Sequence, residues 1–223
     1  MPARYTLEGP GSSQNIMSVH TAKPPQPSRR GEPVWELARF YPAQGTWSEE
    51  DYLELALDTN RLVELSDGYL EVLPVPTDKH QAILAFIFKV LDAFVEARAL
   101  GKVRLAGVPL HLRPQKYREP DILFLLAAND RKRKNEGWEA ADLVMEIVSE
   151  KGRTRDLITK RREYAQAGIA EYWIVDAKKN QITVLKLDGQ KYVEHGIFKK
   201  GSTATSVLLD GFSVNVTKAL SAE

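Results

Sequence analysis

Two carboxylates stand where carboxylates are costly. Glu146 interrupts the apolar run Leu143-Val144-Met145-Glu146-Ile147-Val148, and Asp121 opens the run Asp121-Ile122-Leu123-Phe124-Leu125-Leu126 directly after Pro120. Short, nearly continuous apolar runs read as strands covered on both faces. An ionised carboxylate there loses its hydration, which costs roughly several kcal/mol unless something compensates. A divalent cation compensates two such groups at once, so hard-metal chemistry is the first expectation. The competing accounts are a buried salt bridge to Arg or Lys for Glu146, and an Asp that satisfies loop amides at a strand start for Asp121.

Other residues could join them. If Asp67-Gly68 forms a two-residue turn, Glu64 faces Glu71 across a hairpin, an unfavourable pairing unless a cation intervenes. Asp156, Lys160 and Tyr164 fall at i, i+4 and i+8, on one face of a helix, where an exposed Asp–Lys pair is the ordinary reading. His80 sits in the first turn of a long helix, where capping or packing accounts for it as well as a metal role does. Nine Lys or Arg lie between Lys102 and Lys134 against three acids, and Arg131-Lys132-Arg133-Lys134 are consecutive. A second basic group holds Lys151, Arg153, Arg155, Lys160, Arg161 and Arg162. Such clusters attract polyanions, although solvated charge is equally consistent with them.

The elements that must position these groups are legible in outline. Residues 1–33 read as a disordered tail, rich in Pro, Gly and Ser, and residues 34–223 as a single domain. Ser48 followed by three acids marks a helix start, with the helix running to about Asp58. Strands over 62–65 and 69–73 form the hairpin. A helix from Thr77 to about Arg98 carries the stripe Ile83, Leu84, Ile87, Val90, Leu91 and Phe94. Strands follow over 103–106, 108–112, 121–126 and 142–149, then a helix over 154–167 that stops at Gly168. Further strands are expected over 171–176, 181–187, 191–195 and near Val207, with a last helix from Thr217. The pattern is α/β, a mixed sheet flanked by helices.

Composition narrows the chemistry. The 223 residues carry a net charge of +1, so any nucleic-acid affinity must come from local patches. Cysteine is absent, which excludes disulfides and thiolate metal sites and fits a cytoplasmic setting. No apolar run approaches the ~18 residues of a membrane span. Phosphate-cradling glycine loops and a G-x-S-x-G nucleophile elbow are missing, and the four histidines lack metal-ligand spacing.

The order Glu64-Leu65-Ser66-Asp67-Gly68, His80-Gln81, Pro120-Asp121-Ile122, Glu146-Ile147-Val148-Ser149, Asp156, Lys160, Tyr164 and Gly168-Ile169-Ala170-Glu171-Tyr172-Trp173-Ile174-Val175-Asp176 resembles the Uma2 family of the PD-(D/E)XK nuclease superfamily over roughly residues 45–215. The resemblance implies a restriction-endonuclease-like fold and a Mg²⁺- or Mn²⁺-dependent endonuclease acting on DNA. It implies that Asp121 and Glu146 bind the metal, with Glu64 as a further ligand to the metal or its water. The superfamily's lysine lies two residues after the second acid, where this chain has Val148; in this family a lysine on the next helix replaces it, and Lys160 matches. His80, Asp156 and Tyr164 are the assisting candidates. Arg131, Lys132, Arg133, Lys134, Arg153 and Arg155 are the nucleic-acid candidates, and a homodimer is expected if both strands are cut. A module that keeps the fold and binds nucleic acid without turnover is the alternative, as is a phosphoesterase for small nucleotides.

Overall fold

A type of turn sets the first register. Asp67 and Gly68 both take positive φ, +53° and +82°, as a two-residue hairpin loop demands, and a Cβ on Gly68 would lie 2.6 Å from the carbonyl oxygen of Gly45. The strands on either side therefore pair as expected, with Glu64 opposite Glu71. Residues 41–59, 61–150 and 152–223 are described by a computed structural model; the expected tail, residues 1–33, lies outside them.

In chain order the elements are α1 (Glu49–Asp58), β1 (Val63–Ser66), β2 (Tyr69–Val72), α2 (Asp78–Ala97), β3 (Gly101–Leu105), β4 (Leu110–Arg113), β5 (Lys116–Arg118), β6 (Ile122–Leu126), β7 (Leu143–Ile147), α3 (Arg161–Gln166), β8 (Glu171–Asp176), β9 (Gln181–Asp188), β10 (Lys191–Lys199), β11 (Thr203–Thr205), β12 (Ser213–Asn215) and α4 (Val216–Leu220). A 3₁₀ helix, Ala127–Lys132, follows β6, and a π-helical stretch, Arg155–Lys160, leads into α3. Ser48 and Asp51 form a reciprocal capping box on α1, and the Thr77 side chain caps α2 by accepting from the His80 amide.

The main sheet has the order β10-β9-β8-β7-β6-β3, parallel only between β7 and β8. A smaller antiparallel sheet has the order β2-β1-β5-β4, and β11 pairs with β12. Alternation along the central strands splits the core by face. Phe124, Met145, Ile147 and Trp173 pack toward Ile83, Ile87 and Leu91 of α2. Leu123, Val144, Tyr172 and Ile174 pack with Tyr164 and Ala165 of α3. Each large apolar side chain so buried contributes about 1.5–3 kcal/mol. No helix among the described residues is long and apolar enough to cross a membrane.

Three local expectations change. The strand β5 was not anticipated, because its only apolar residue is Tyr117 between two cations. The strand expected near Val207 is replaced by β11 and β12 on either side of it; the amides of Val207 and Leu208 bond to Glu171 Oε2, at 2.6 and 2.8 Å, instead of joining a ladder. The helix expected over 154–167 begins with π-helical winding, which is frequent at functional sites.

Candidate active site

The two founding carboxylates converge. In the antiparallel ladder of β6 and β7, Ile122 pairs with Met145, so the next positions outward set Asp121 beside Glu146. A hydrogen bond fixes the arrangement: Asp121 Oδ2 accepts from the Ile147 amide at 2.7 Å. As alternation requires, Glu146 points away from the Met145 and Ile147 side, toward α3. There its Oε1 accepts from Lys160 Nζ at 2.8 Å and from Tyr164 Oη at 2.7 Å. Glu146 and Lys160 are both buried.

Asp121, Glu146, Asp156, Lys160, His80 and Glu119 line one cavity of about 550 Å³. His80 Nε2 lies 3.2 Å from Asp121 Oδ2, while its Nδ1 is buried without a partner. Burial lowers the His80 pKa, but the hydrogen bond and charge of Asp121 prevail and raise it. Asp156 lies 3.9 Å from Lys160, so the spacing read as one helix face does bring these two together. A Cβ on Gly152 would lie 3.3 Å from Asp156 Oδ2, which makes the tight approach there suited to glycine.

The electrostatics show an excess of negative charge. Burial raises the Glu146 carboxyl to about 8, with Lys160 opposing and Asp121 and Asp156 adding to the rise. Asp156 is raised to about 6, again by burial first. Burial opposes the charge on Lys160, yet the carboxylates around it, Glu146 first, hold its pKa above the ordinary value. The two partners of the 2.8 Å contact thus shift in the same direction. Several acids share one ammonium, so Lys160 keeps its charge and the surplus falls on Glu146.

Glu64 is not among the residues that line the cavity. It is fully buried, and both of its oxygens are engaged: Oε2 with Arg118 at 3.1 Å, Oε1 with the Glu119 amide at 3.2 Å and with Lys160 at 3.2 Å. It positions Lys160. Arg155 is the cation that the Glu64–Glu71 pairing calls for: its Nη1 bonds to Glu71 and lies 4.0 Å from Glu64 Oε2. Arg153 is paired with Asp176. The run Arg131–Lys134 is not brought to the site. It lies beyond the far end of β6, whose five residues span roughly 17 Å, across the start of the 3₁₀ helix; Arg133 there pairs with Asp130 at 2.9 Å.

Glu119 was missed. It is buried, its Oε2 lacks a hydrogen bond, and burial with the charge of Glu64 raises it to about 7. Its signal in the sequence is faint, an acid just before Pro120-Asp121 in a segment that reads as loop.

The donor set suits a small hard cation. Every hydrogen bond to Asp121 goes to Oδ2 and every one to Glu146 goes to Oε1 among the described residues, so each carboxylate keeps an oxygen for a ligand. Among the described residues no group of three or more His, Asp or Glu side chains forms a ready cage. Magnesium characteristically needs only one or two carboxylates, with water and phosphate completing its octahedron.

Among solved structures, the chain is similar to the crystal structure of a putative nuclease belonging to DUF820 from Anabaena variabilis, with a TM-score of 0.65 and 16% identity over 78% of this chain and 98% of that one. At that identity the likeness speaks to the fold, which is restriction-endonuclease-like. No curated protein matches. The family model that matches covers residues 49–217, from α1 to the start of α4 and including every residue of the cavity's acidic floor, and the chain belongs to that family, Uma2, described as putative restriction endonuclease.

Proposed function

We propose that the chain is a metal-dependent endonuclease that hydrolyses phosphodiester bonds in DNA. One observation carries this reading: Asp121 and Glu146, far apart in sequence, lie side by side at the floor of a cavity with the Lys160 ammonium on one of them. Asp121 and Glu146 would hold Mg²⁺ or Mn²⁺ through their unengaged oxygens. A cation there supplies Lewis acidity for the scissile phosphate and its attacking water.

The chain's own groups do the rest. Tyr164 and Lys160 fix the orientation of Glu146, and the Ile147 amide and His80 fix Asp121. Lys160, held by Glu64 and Glu146, is a preorganised positive charge that can stabilise the charge growing on a phosphorane-like transition state. The geometry supports Lys160 as the replacement for a strand lysine, since Val148, at that position, packs among the apolar residues near α3. One cavity attacks one strand at a time, so cutting both strands of a duplex in a single encounter would take two copies of the chain.

The test is cleavage of plasmid and oligonucleotide DNA by pure protein. Products are expected with Mg²⁺ or Mn²⁺, none with EDTA, and none above background for Glu146→Gln. DNA binding without any metal-dependent product in the wild type would overturn the reading in favour of a binding module.

A further inference from the structure

We infer that the cavity takes an unpaired DNA strand, one nucleotide entering with its phosphate at the carboxylates, and that an intact duplex is a poor substrate. The inference rests on the nuclease reading above and specifies its substrate. Three features of the cavity carry it.

The first is enclosure. Asp121 is only 16% exposed at its side chain and Glu146 only 6%, so the reacting phosphate must descend to a floor that barely meets solvent. A space of about 550 Å³ falls in the range that buries a small ligand. It holds a nucleotide unit with its base, whereas the base of a paired nucleotide reaches such a space only when extruded from the stack.

The second is the wall. Leu73, Pro74, Val75 and Pro76 face Ile83 and Leu84 around the cavity. Two prolines fix the backbone of that wall, so it is stiff. Val75 is 78% exposed, an apolar residue left in water at the entrance. A duplex offers such a surface only sugar and phosphate, while an unpaired nucleotide offers the face of its base.

The third is the scarcity of free cations. Among the described lining residues, Lys160 is buried, Arg155 is bonded to Glu71, Lys79 donates to the Ala222 carbonyl at 2.8 Å, and Lys178 pairs with Glu150 at 3.0 Å. The Lys178–Glu150 pair is exposed and therefore weak, so one or two flanking phosphates can be met. A strongly salt-dependent duplex binder makes about 6–10 phosphate contacts.

The experiment compares a fluorescent single strand, the corresponding blunt duplex and a duplex with an unpaired flap. Binding is read by anisotropy with Ca²⁺, and cleavage with Mg²⁺. The single strand and flap are expected to bind about 10- to 100-fold more tightly than the blunt duplex, because extrusion is avoided. The plot of log affinity against log salt for the single strand should have a slope of about −0.7 to −1.4, as for one or two phosphates. Val75→Asp, at an exposed position, should fold normally and weaken single-strand binding by about tenfold. Equal or tighter binding of the blunt duplex, or no effect of Val75→Asp, overturns the inference. If the blunt duplex is cut fastest, the nuclease reading stands and this one fails. If nothing is cut but the single-strand preference holds, the substrate class survives and the nuclease reading falls.

Discussion

Two clusters of charge meet at Glu64. On the side of the smaller sheet, Arg118 bonds to Glu64 and takes both oxygens of Glu163, at 2.8 and 2.9 Å. Lys116 lies 3.5 Å from Glu163 and 2.9 Å from Asp67, which Arg113 also meets. Three cations there face three carboxylates. On the cavity side, Lys160, Arg155 and His80 face Glu146, Asp156, Asp121 and Glu71, and the acids outnumber the cations even with His80 protonated. Both clusters bury charge. The first closes on itself and clamps α3 to β5, whereas the second leaves carboxylate oxygens unspent and lifts Glu146 and Asp156. A closed cluster serves the fold; the open one leaves negative charge unmatched, which is what the proposed cation would meet.

Substitutions should separate the two. Glu146→Gln removes part of the surplus, so thermal stability should hold or rise while metal-dependent cleavage falls by ~10³-fold or more; a matched loss of stability would place Glu146 with the clamp. Arg118→Met should do the reverse. It strands Glu64 and Glu163 without their cation, and urea unfolding should show a loss of about 3–5 kcal/mol.

Glu119 probes the boundary through pH. Its folded pKa, about 7, lies above the ordinary glutamate value of 4.5, so the folded protein binds the extra proton and stability falls as pH rises between these values. Glu146 and Asp156 act in the same direction. Glu119→Gln should remove its share of that decline, roughly 3 kcal/mol at 1.36 kcal/mol per unit, as read by melts across that window. An unchanged pH slope would show that Glu119 finds a partner in solution. The smallest effect is expected for Arg155→Gln. Glu64 and Glu71 then face each other unshielded, and stability should drop by about 1 kcal/mol, checked by denaturant titration.

Much of the site was legible, for specific reasons. Glu146 showed itself by breaking an apolar run, and the Asp67-Gly68 turn fixed the pairing of Glu64 with Glu71. The spacing of Asp156, Lys160 and Tyr164 survived the π-helical start. What stayed hidden depends on contacts between distant segments. Nothing local marks Arg118 as the partner of Glu64 and Glu163, and β5 reads as loop because its flanking cations are buried only by the opposing acids. The placement of the run Arg131–Lys134 away from the cavity stayed hidden because proximity in sequence to Asp121 conceals the length of β6 between them. The contact between Glu64 and Lys160 stayed hidden because the helix that brings the lysine arrives more than ninety residues later.

In the proposed function Asp121 and Glu146 share one divalent ion. Crystals soaked in Mn²⁺ test it directly. An anomalous peak is expected between the side chains of residues 121 and 146, absent in Glu146→Gln. Ordered carboxylates with no peak between them, or a peak that persists in Glu146→Gln, would contradict it.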